Sequence, residues 1–311
     1  MTILFLTSVN DEKRHCFYDF PGARMLFDDP KDLDAETLAS VDAIFGNPSR
    51  DLVEKCANLR WIQLNSAGAN KYSWLPEHIV LTNASGAYGP AISEHMLGCT
   101  LGIMKNLFRY HDLQKRKDLR NLGSVRMLET SVVLSVGAGD IGGHYLHKCK
   151  SLGAYTIGIR RKAHEKAPYE DESLAFSQVD DVLPRADIVA LSLPETRETV
   201  GFFDYRRLSL MKKDAILLNV GRGSAIVTDD LVRIVNEGHL AGVHLDVTDP
   251  EPLPEDHPLW NTERIYVTPH IAGRFNAEVT LDRVLDIFSK NLAHALKNEP
   301  FENVVDRSIG Y

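Results

Sequence analysis

Two apolar rhythms alternate along this chain. Short runs of β-branched and aliphatic residues read as strands, and longer stretches with apolar positions three or four apart read as helices. The first series of runs covers residues 3–6, 43–45, 61–64 and 79–81. The second covers 132–136, 155–159, 188–193, 215–220, 242–247 and 265–268. Runs that are apolar on both faces suit a parallel sheet covered by helices on either side, so the pattern predicts α/β folds. Between the series, Met96 or Leu97, Leu101, Met104 and Phe108 recur at helical spacing, which predicts one long amphipathic helix over 93–114. Its plain role is core packing, with a further part between domains or subunits. A polar stretch, 115–126, leads into the second series, and a last helical pattern over 277–297 follows its end. That late helix can return to the first sheet. The organisation predicted is a discontinuous domain of residues 1–96 plus 274–311, with residues 97–273 inserted.

Composition agrees with this. A chain of 311 residues fits two domains that each bury a core. With 44% hydrophobic and 25% charged residues, the chain resembles neither a disordered nor a membrane protein. A net charge of −8 speaks against a nucleic-acid binder, which needs a basic stripe. The only early apolar run, 3–6, is too short for a signal segment or a membrane span, so a cytoplasmic location is expected. Cys16, Cys56, Cys99 and Cys149 are far apart and form no CxxC, which predicts reduced thiols and no metal.

The chemistry begins at Gly137-Ala-Gly139-Asp140-Ile141-Gly142, a GxGxxG between a predicted strand and a predicted helix. In that context the first glycine allows the tight turn, the second lets the backbone approach a pyrophosphate, and the third lets helix pack on strand. The helix N-terminus offers N–H groups to the phosphates. The next strand ends Ile159-Arg160-Arg161-Lys162. NAD sites place a carboxylate there for the ribose 2′-OH; three bases and no acid suit a 2′-phosphate, so NADP(H) is the expected cofactor, with NAD possible.

Three more strand ends carry reactive groups. Asn219-Val220-Gly221-Arg222-Gly223 places a guanidinium in a glycine-flanked turn, Asp246 and Glu251 stand in a proline-rich loop, and Thr268-Pro-His270-Ile-Ala-Gly273 closes the last strand. A fixed arginine suits a substrate carboxylate, and a histidine with a carboxylate suits proton transfer to a carbonyl oxygen. Singly, each could be a surface residue; their common place at strand ends downstream of a nucleotide fingerprint is what carries weight.

Over nearly its whole length the chain resembles the D-isomer-specific 2-hydroxyacid dehydrogenases. The matching pieces are Asn65-Ser-Ala67-Gly68-Ala69, Glu94-His95, GAGDIG, Leu193-Pro194-Glu-Thr-Arg-Glu-Thr199, NVGRG, LDVTDPEPLP and TPHIAG. The short length, the basic strand end and the tail from Val305 to Tyr311 look most like the glyoxylate/hydroxypyruvate reductase A branch. The resemblance implies a Rossmann cofactor domain inserted in a flavodoxin-like substrate domain, with catalysis in a cleft between them. It implies that His270 is the acid/base, that Glu251 orients it, and that Arg222 and the amides of Ala67, Gly68 and Ala69 hold the substrate carboxylate. Asp246 would meet the nicotinamide, while Leu193, Pro194, Thr199, Val220 and Gly273 would line the cofactor beside the glycine turn. A homodimer acting on a small 2-oxo/2-hydroxy acid, without nucleic acid or membrane, is implied as well. Two positions depart from the family pattern: Asn70, where an acid is usual, and Arg274, which is either a surface cation or an extra anion contact. Rival readings are a formate- or phosphite-type dehydrogenase, against which an aromatic lining from Tyr88 and Trp260 would speak, and a corepressor-like nucleotide sensor.

Overall fold

The computed structural model describes residues 1–18, 20–162, 165–275 and 277–307. Ser308 to Tyr311, the end of the tail noted above, therefore lie outside the described residues. The chain divides into two compact units, residues 1–87 with 278–311, and residues 88–277.

The first unit is built on β1 (Thr2–Phe5), β2 (Arg24–Leu26), β3 (Ala43–Phe45), β4 (Trp61–Gln63) and β5 (Val80–Thr82). They pair in parallel in the order β2-β1-β3-β4-β5, the flavodoxin-like arrangement. Leu4, Ile44, Ile62 and Leu64 have no exposed surface. The helix Glu278–Lys297 belongs to this unit: the Phe288 ring stacks on Phe45 at 4.5 Å, and Asn291 donates to the Gln63 side chain at 2.8 Å. β2 had no signal in the apolar pattern because it is an edge strand whose only buried residue is Leu26.

The second unit holds β6 (Val132–Val136), β7 (Tyr155–Arg160), β8 (Glu172–Ala175), β9 (Ile188–Leu191), β10 (Ile216–Asn219), β11 (Gly242–Leu245) and β12 (Ile265–Val267). All pair in parallel in the order β12-β11-β10-β9-β6-β7-β8. The order reverses between β6 and β9, and beyond the carboxyl ends of strands at such a switch point doubly wound sheets bind their ligands. β8 is the second strand without an apolar run; it too is an edge, with all four residues only half-buried.

The long central helix is two helices, Gly89–Met104 and Leu107–Lys115, broken where Asn106 adopts a left-handed φ of 56°. In a straight helix, residues six apart lie on different faces. The break lets the Phe108 ring fold back over Gly102, where a Cβ would meet it at 2.7 Å, and onto Tyr266 at 4.5 Å between centroids. The first of these helices lies wholly in the second unit, so the boundary falls at 87/88 and not at 96/97. The reason is its bonding to the helix Asp140–Ser151. Gly89 N–H donates to Asp140 Oδ2 at 2.8 Å, Lys148 Nζ donates to Ser93 Oγ at 2.8 Å, and the Thr100 and Tyr145 hydroxyls bond at 2.7 Å. The other boundary lies at 277/278, just before Glu278–Lys297, and not at 273/274.

Candidate active site

The glycine turn after β6 has the three properties a dinucleotide cradle needs. Gly137 takes a φ of +96°, which only glycine holds without strain. A Cβ on Gly139 would meet nothing within 4 Å, so its backbone can be approached closely. A Cβ on Gly142 would run into the Gly137 carbonyl and the Ser135 hydroxyl, so the helix packs on the strand only because that side chain is missing. Asp140, Ile141 and Gly142 open the helix, where backbone N–H groups have no partner one turn back. These residues fit a bound pyrophosphate.

The basic end of β7 is less uniform than its sequence. Arg160 Nη1 donates to Glu170 Oε1 at 2.5 Å, and the Glu170 side chain is entirely buried. The carboxylate sits against Gly158, where a side chain would collide with it, and its other oxygen accepts from Ala167 N–H at 2.9 Å. Arg160, expected to meet the cofactor, is thus paired inside the unit. Arg161 and Lys162 are exposed. The acid missing from the strand end arrives ten residues later, and glycine within the strand was the one signal of its approach.

Three loops pack together through absent side chains. A Cβ on Gly221 would strike the backbone of Leu193 at 2.6 Å, and one on Gly223 would strike the Thr248 carbonyl. The turn bearing Arg222 is therefore pressed between the Leu193 loop and the loop leading to Glu251. Asn219 braces that turn, accepting from Gly221 N–H at 3.1 Å and donating to the Arg222 carbonyl at 2.8 Å. Asn219 is a positioning residue to which the sequence reading gave no role. Leu193 and Val220 are buried in these walls. Thr199 is buried too, and its hydroxyl closes its own loop on Pro194 O at 2.7 Å and Thr196 N at 2.8 Å, so it shapes the loop from within.

His270 and Glu251 do meet, with Nδ1 and Oε1 2.6 Å apart and each side chain 43% exposed. Because Glu251 accepts the hydrogen bond of Nδ1–H, Nε2 is the nitrogen left to face a substrate. His270 sits at a φ of 52°, a strained conformation for a non-glycine residue. Asp246, 2% exposed, holds it there. Its Oδ1 accepts from the Thr268 hydroxyl at 2.6 Å and Ile271 N–H at 3.0 Å, its Oδ2 from Ala272 N–H at 3.0 Å, and its carbonyl from His270 N–H at 2.9 Å. Arg274 Nε donates to the His270 carbonyl at 3.0 Å, so this departure from the family pattern also grips the histidine's backbone. The Arg222 guanidinium donates to the Gly221 carbonyl at 2.7 Å. Trp260 is 52% exposed, whereas Tyr88 is buried.

Below Asp246 lies a polar cluster: His95, already noted in the Glu94-His95 piece, and Cys99 on the helix Gly89–Met104, and His244 on β11. Burial, aided by His95 and opposed by Asp246, pushes the His244 imidazole down to about 4, and burial pushes the Cys99 thiol up to about 12.

Residues 97–272 match the D-isomer-specific 2-hydroxyacid dehydrogenase NAD-binding domain, more than half of the chain. The chain belongs to this dehydrogenase family. It is 29% identical over 223 residues to glyoxylate/hydroxypyruvate reductase A of Escherichia fergusonii, covering 72% of this chain and 70% of that protein. A family protein of Aeromonas salmonicida superposes with a TM-score of 0.88 at 30% identity, covering 98% of this chain and 99% of the other. A probable 2-hydroxyacid dehydrogenase of Rhizobium etli, solved with NADP, HEPES and L(+)-tartaric acid, gives 0.81 at 25% identity over 100% and 99%. The resemblance to the reductase A branch drawn from the motifs thus holds.

In the dehydrogenase's first unit, the loop after β4 is tied down by its carbonyls. Asn83 Nδ2 holds Ala67 O at 2.9 Å, Ser66 Oγ holds Gly68 O at 3.0 Å, and Tyr72 N–H holds Ala69 O at 3.0 Å. Among the described residues no N–H of Ala67, Gly68 or Ala69 donates a hydrogen bond. Asn70, the other departure, begins the short 3₁₀ turn Asn70–Tyr72.

Proposed function

We propose that this dehydrogenase reduces glyoxylate, hydroxypyruvate or a similar small 2-oxo acid to the D-2-hydroxy acid, using NADPH in preference to NADH. The observation that carries the reading is the His270–Glu251 pair, an imidazole whose Nδ1 is bound by a carboxylate while Nε2 stays open. The turn from Gly137 to Gly142 would hold the nicotinamide cofactor, whose chemistry when bound would be hydride transfer to the carbonyl carbon. His270 Nε2 gives its proton to the carbonyl oxygen and recovers one from solvent between turnovers. Glu251 keeps the ring oriented. Arg222 takes the substrate carboxylate, and the amides of Ala67, Gly68 and Ala69 in the first unit suit an anion as well. Arg161 and Lys162 would take the 2′-phosphate, and Gly273, with Leu193, Pro194 and Val220, would border the nicotinamide.

The test is NADPH oxidation with a panel of glyoxylate, hydroxypyruvate, pyruvate and phenylpyruvate, followed by chiral analysis of the product. An L product, or equal turnover of pyruvate and its methyl ester, overturns the reading. A formate- or phosphite-type activity is disfavoured by relatives named as glyoxylate and hydroxypyruvate reductases, and a purely nucleotide-sensing role by the presence of the full acid/base pair.

We also propose a homodimer working in the cytoplasm. The segment after Leu107–Lys115 carries Leu119, 98% exposed, together with exposed Val125 and Met127, apolar surface that a second copy would cover. Four unpaired cysteines suit a reducing compartment, and no described helix is long and apolar enough to cross a membrane. Light scattering at the mass of a single chain would refute the dimer. The net charge of −8 argues against nucleic acid as a partner.

A further inference from the structure

We propose that His95, Cys99 and His244 form a structural site for a zinc-like divalent cation beneath the loop that carries His270. His95 and Cys99 are four residues apart on one helix and so share a face; β11 brings His244 to meet them. The helix can come this near because β11 begins with Gly242, where a Cβ would strike Ile103 at 2.6 Å. One donor atom from each of the three residues lies within 4.8 Å of the other two. Cys99 Sγ stands 3.6 Å from His95 Nε2, the separation of about 3.6 Å that sulfur and nitrogen keep when both bind one tetrahedral zinc.

Two further observations point to a cation. His244 is 1% exposed, and its Nδ1 is buried with no hydrogen-bond partner, an arrangement that costs stability unless that nitrogen bonds the ion. Charge also balances. Binding breaks the Cys99 S–H bond, sends the proton to solvent and forms a metal–sulfur bond. The resulting thiolate and the Asp246 carboxylate together offset a divalent ion. The Thr268 hydroxyl connects the two parts, 3.3 Å from His244 Nε2, 3.5 Å from His95 Nε2 and 2.6 Å from Asp246 Oδ1. Two nitrogens and a sulfur select zinc or cobalt over magnesium or calcium, which prefer oxygen. The cation would brace Thr268 and Asp246, the residues that hold His270 in its strained conformation.

The experiment uses the full-length chain, stripped by a chelator and titrated with cobalt(II). One cobalt per chain, with a thiolate-to-cobalt charge-transfer band in the near ultraviolet, is expected. Cys99→Ser should abolish the band, and His244→Leu should weaken binding at least tenfold. Cys16→Ser and His270→Ala should leave both unchanged, since Cys16 is the exposed thiol and His270 belongs to the other carboxylate pair. Should a variant fold poorly, thermal unfolding of the unaltered protein decides: zinc, but not magnesium, should raise Tm. No cobalt bound, cobalt bound without the thiolate band, or a band that survives Cys99→Ser overturns the proposal.

Discussion

Two carboxylates paired with basic side chains stand at strand ends of the same sheet, and they are built to opposite specifications. At the end of β7, Glu170 is wholly buried and Arg160 only 17% exposed. Beyond β12, Glu251 and His270 are each 43% exposed on a loop whose histidine holds a left-handed φ. The buried pair cannot be opened without stranding a charge in the interior, so it serves to hold the β7 end together. The open pair leaves one imidazole nitrogen toward solvent and can exchange a proton at each turnover. Similar partners, a similar short distance and different burial yield a brace in one place and, on the proposed function, an acid in the other.

The largest expected effect breaks the open pair. His270→Ala should lower kcat by about 10²- to 10⁴-fold in NADPH-oxidation assays while leaving Tm nearly unchanged, because a half-exposed side chain contributes little to the core. Undiminished kcat would remove His270 from the acid's role. Arg160→Ala should do the reverse. It leaves Glu170 buried without its cation and should cost about 3–5 kcal/mol of stability, seen as an earlier midpoint in urea. Replacing both partners, Arg160→Met with Glu170→Leu, should recover much of that loss. If the single and double variants are equally unstable, the pair is not the brace described here.

Glu251→Gln should lower kcat by roughly ten- to a hundredfold, the worth of about 1.5–3 kcal/mol for a charge-assisted hydrogen bond, with KM for the 2-oxo acid little changed. A KM effect alone would move Glu251 from orienting the acid to binding substrate. The smallest effect sharpens the contrast at β7. Arg161→Ala should reduce the preference for NADPH over NADH by about tenfold, since an exposed contact keeps only part of its nominal strength. That preference should also shrink as salt rises. If Arg161→Ala changes nothing, Lys162 alone reads the phosphate.

Much of this was legible from neighbouring residues alone. Strand 43–45 and strand 132–136 fall where the apolar runs placed them, and the glycine turn performs each of its three tasks. Edge strands β2 and β8 were not legible, because a strand with one bare side needs no apolar run. The break at Asn106 was not legible either; helical spacing continues through it, and only the packing of Phe108 on Gly102 and Tyr266 decides it.

The sequence by itself determined which chemistry this protein carries, because a phosphate turn, an arginine between glycines and a histidine after a strand are each written within a few consecutive positions. Tertiary structure decided which charges are available. Arg160 looked free until Glu170, ten residues away, was folded beneath it, and His244 has neighbours in His95 and Cys99 only because β11 lies against a helix that ends 138 residues earlier, at Met104. Backbone geometry and helix or strand periodicity are local, so short motifs record them. Burial and ion pairing depend on which distant segments the sheet order brings together, and that is settled only when the whole core packs.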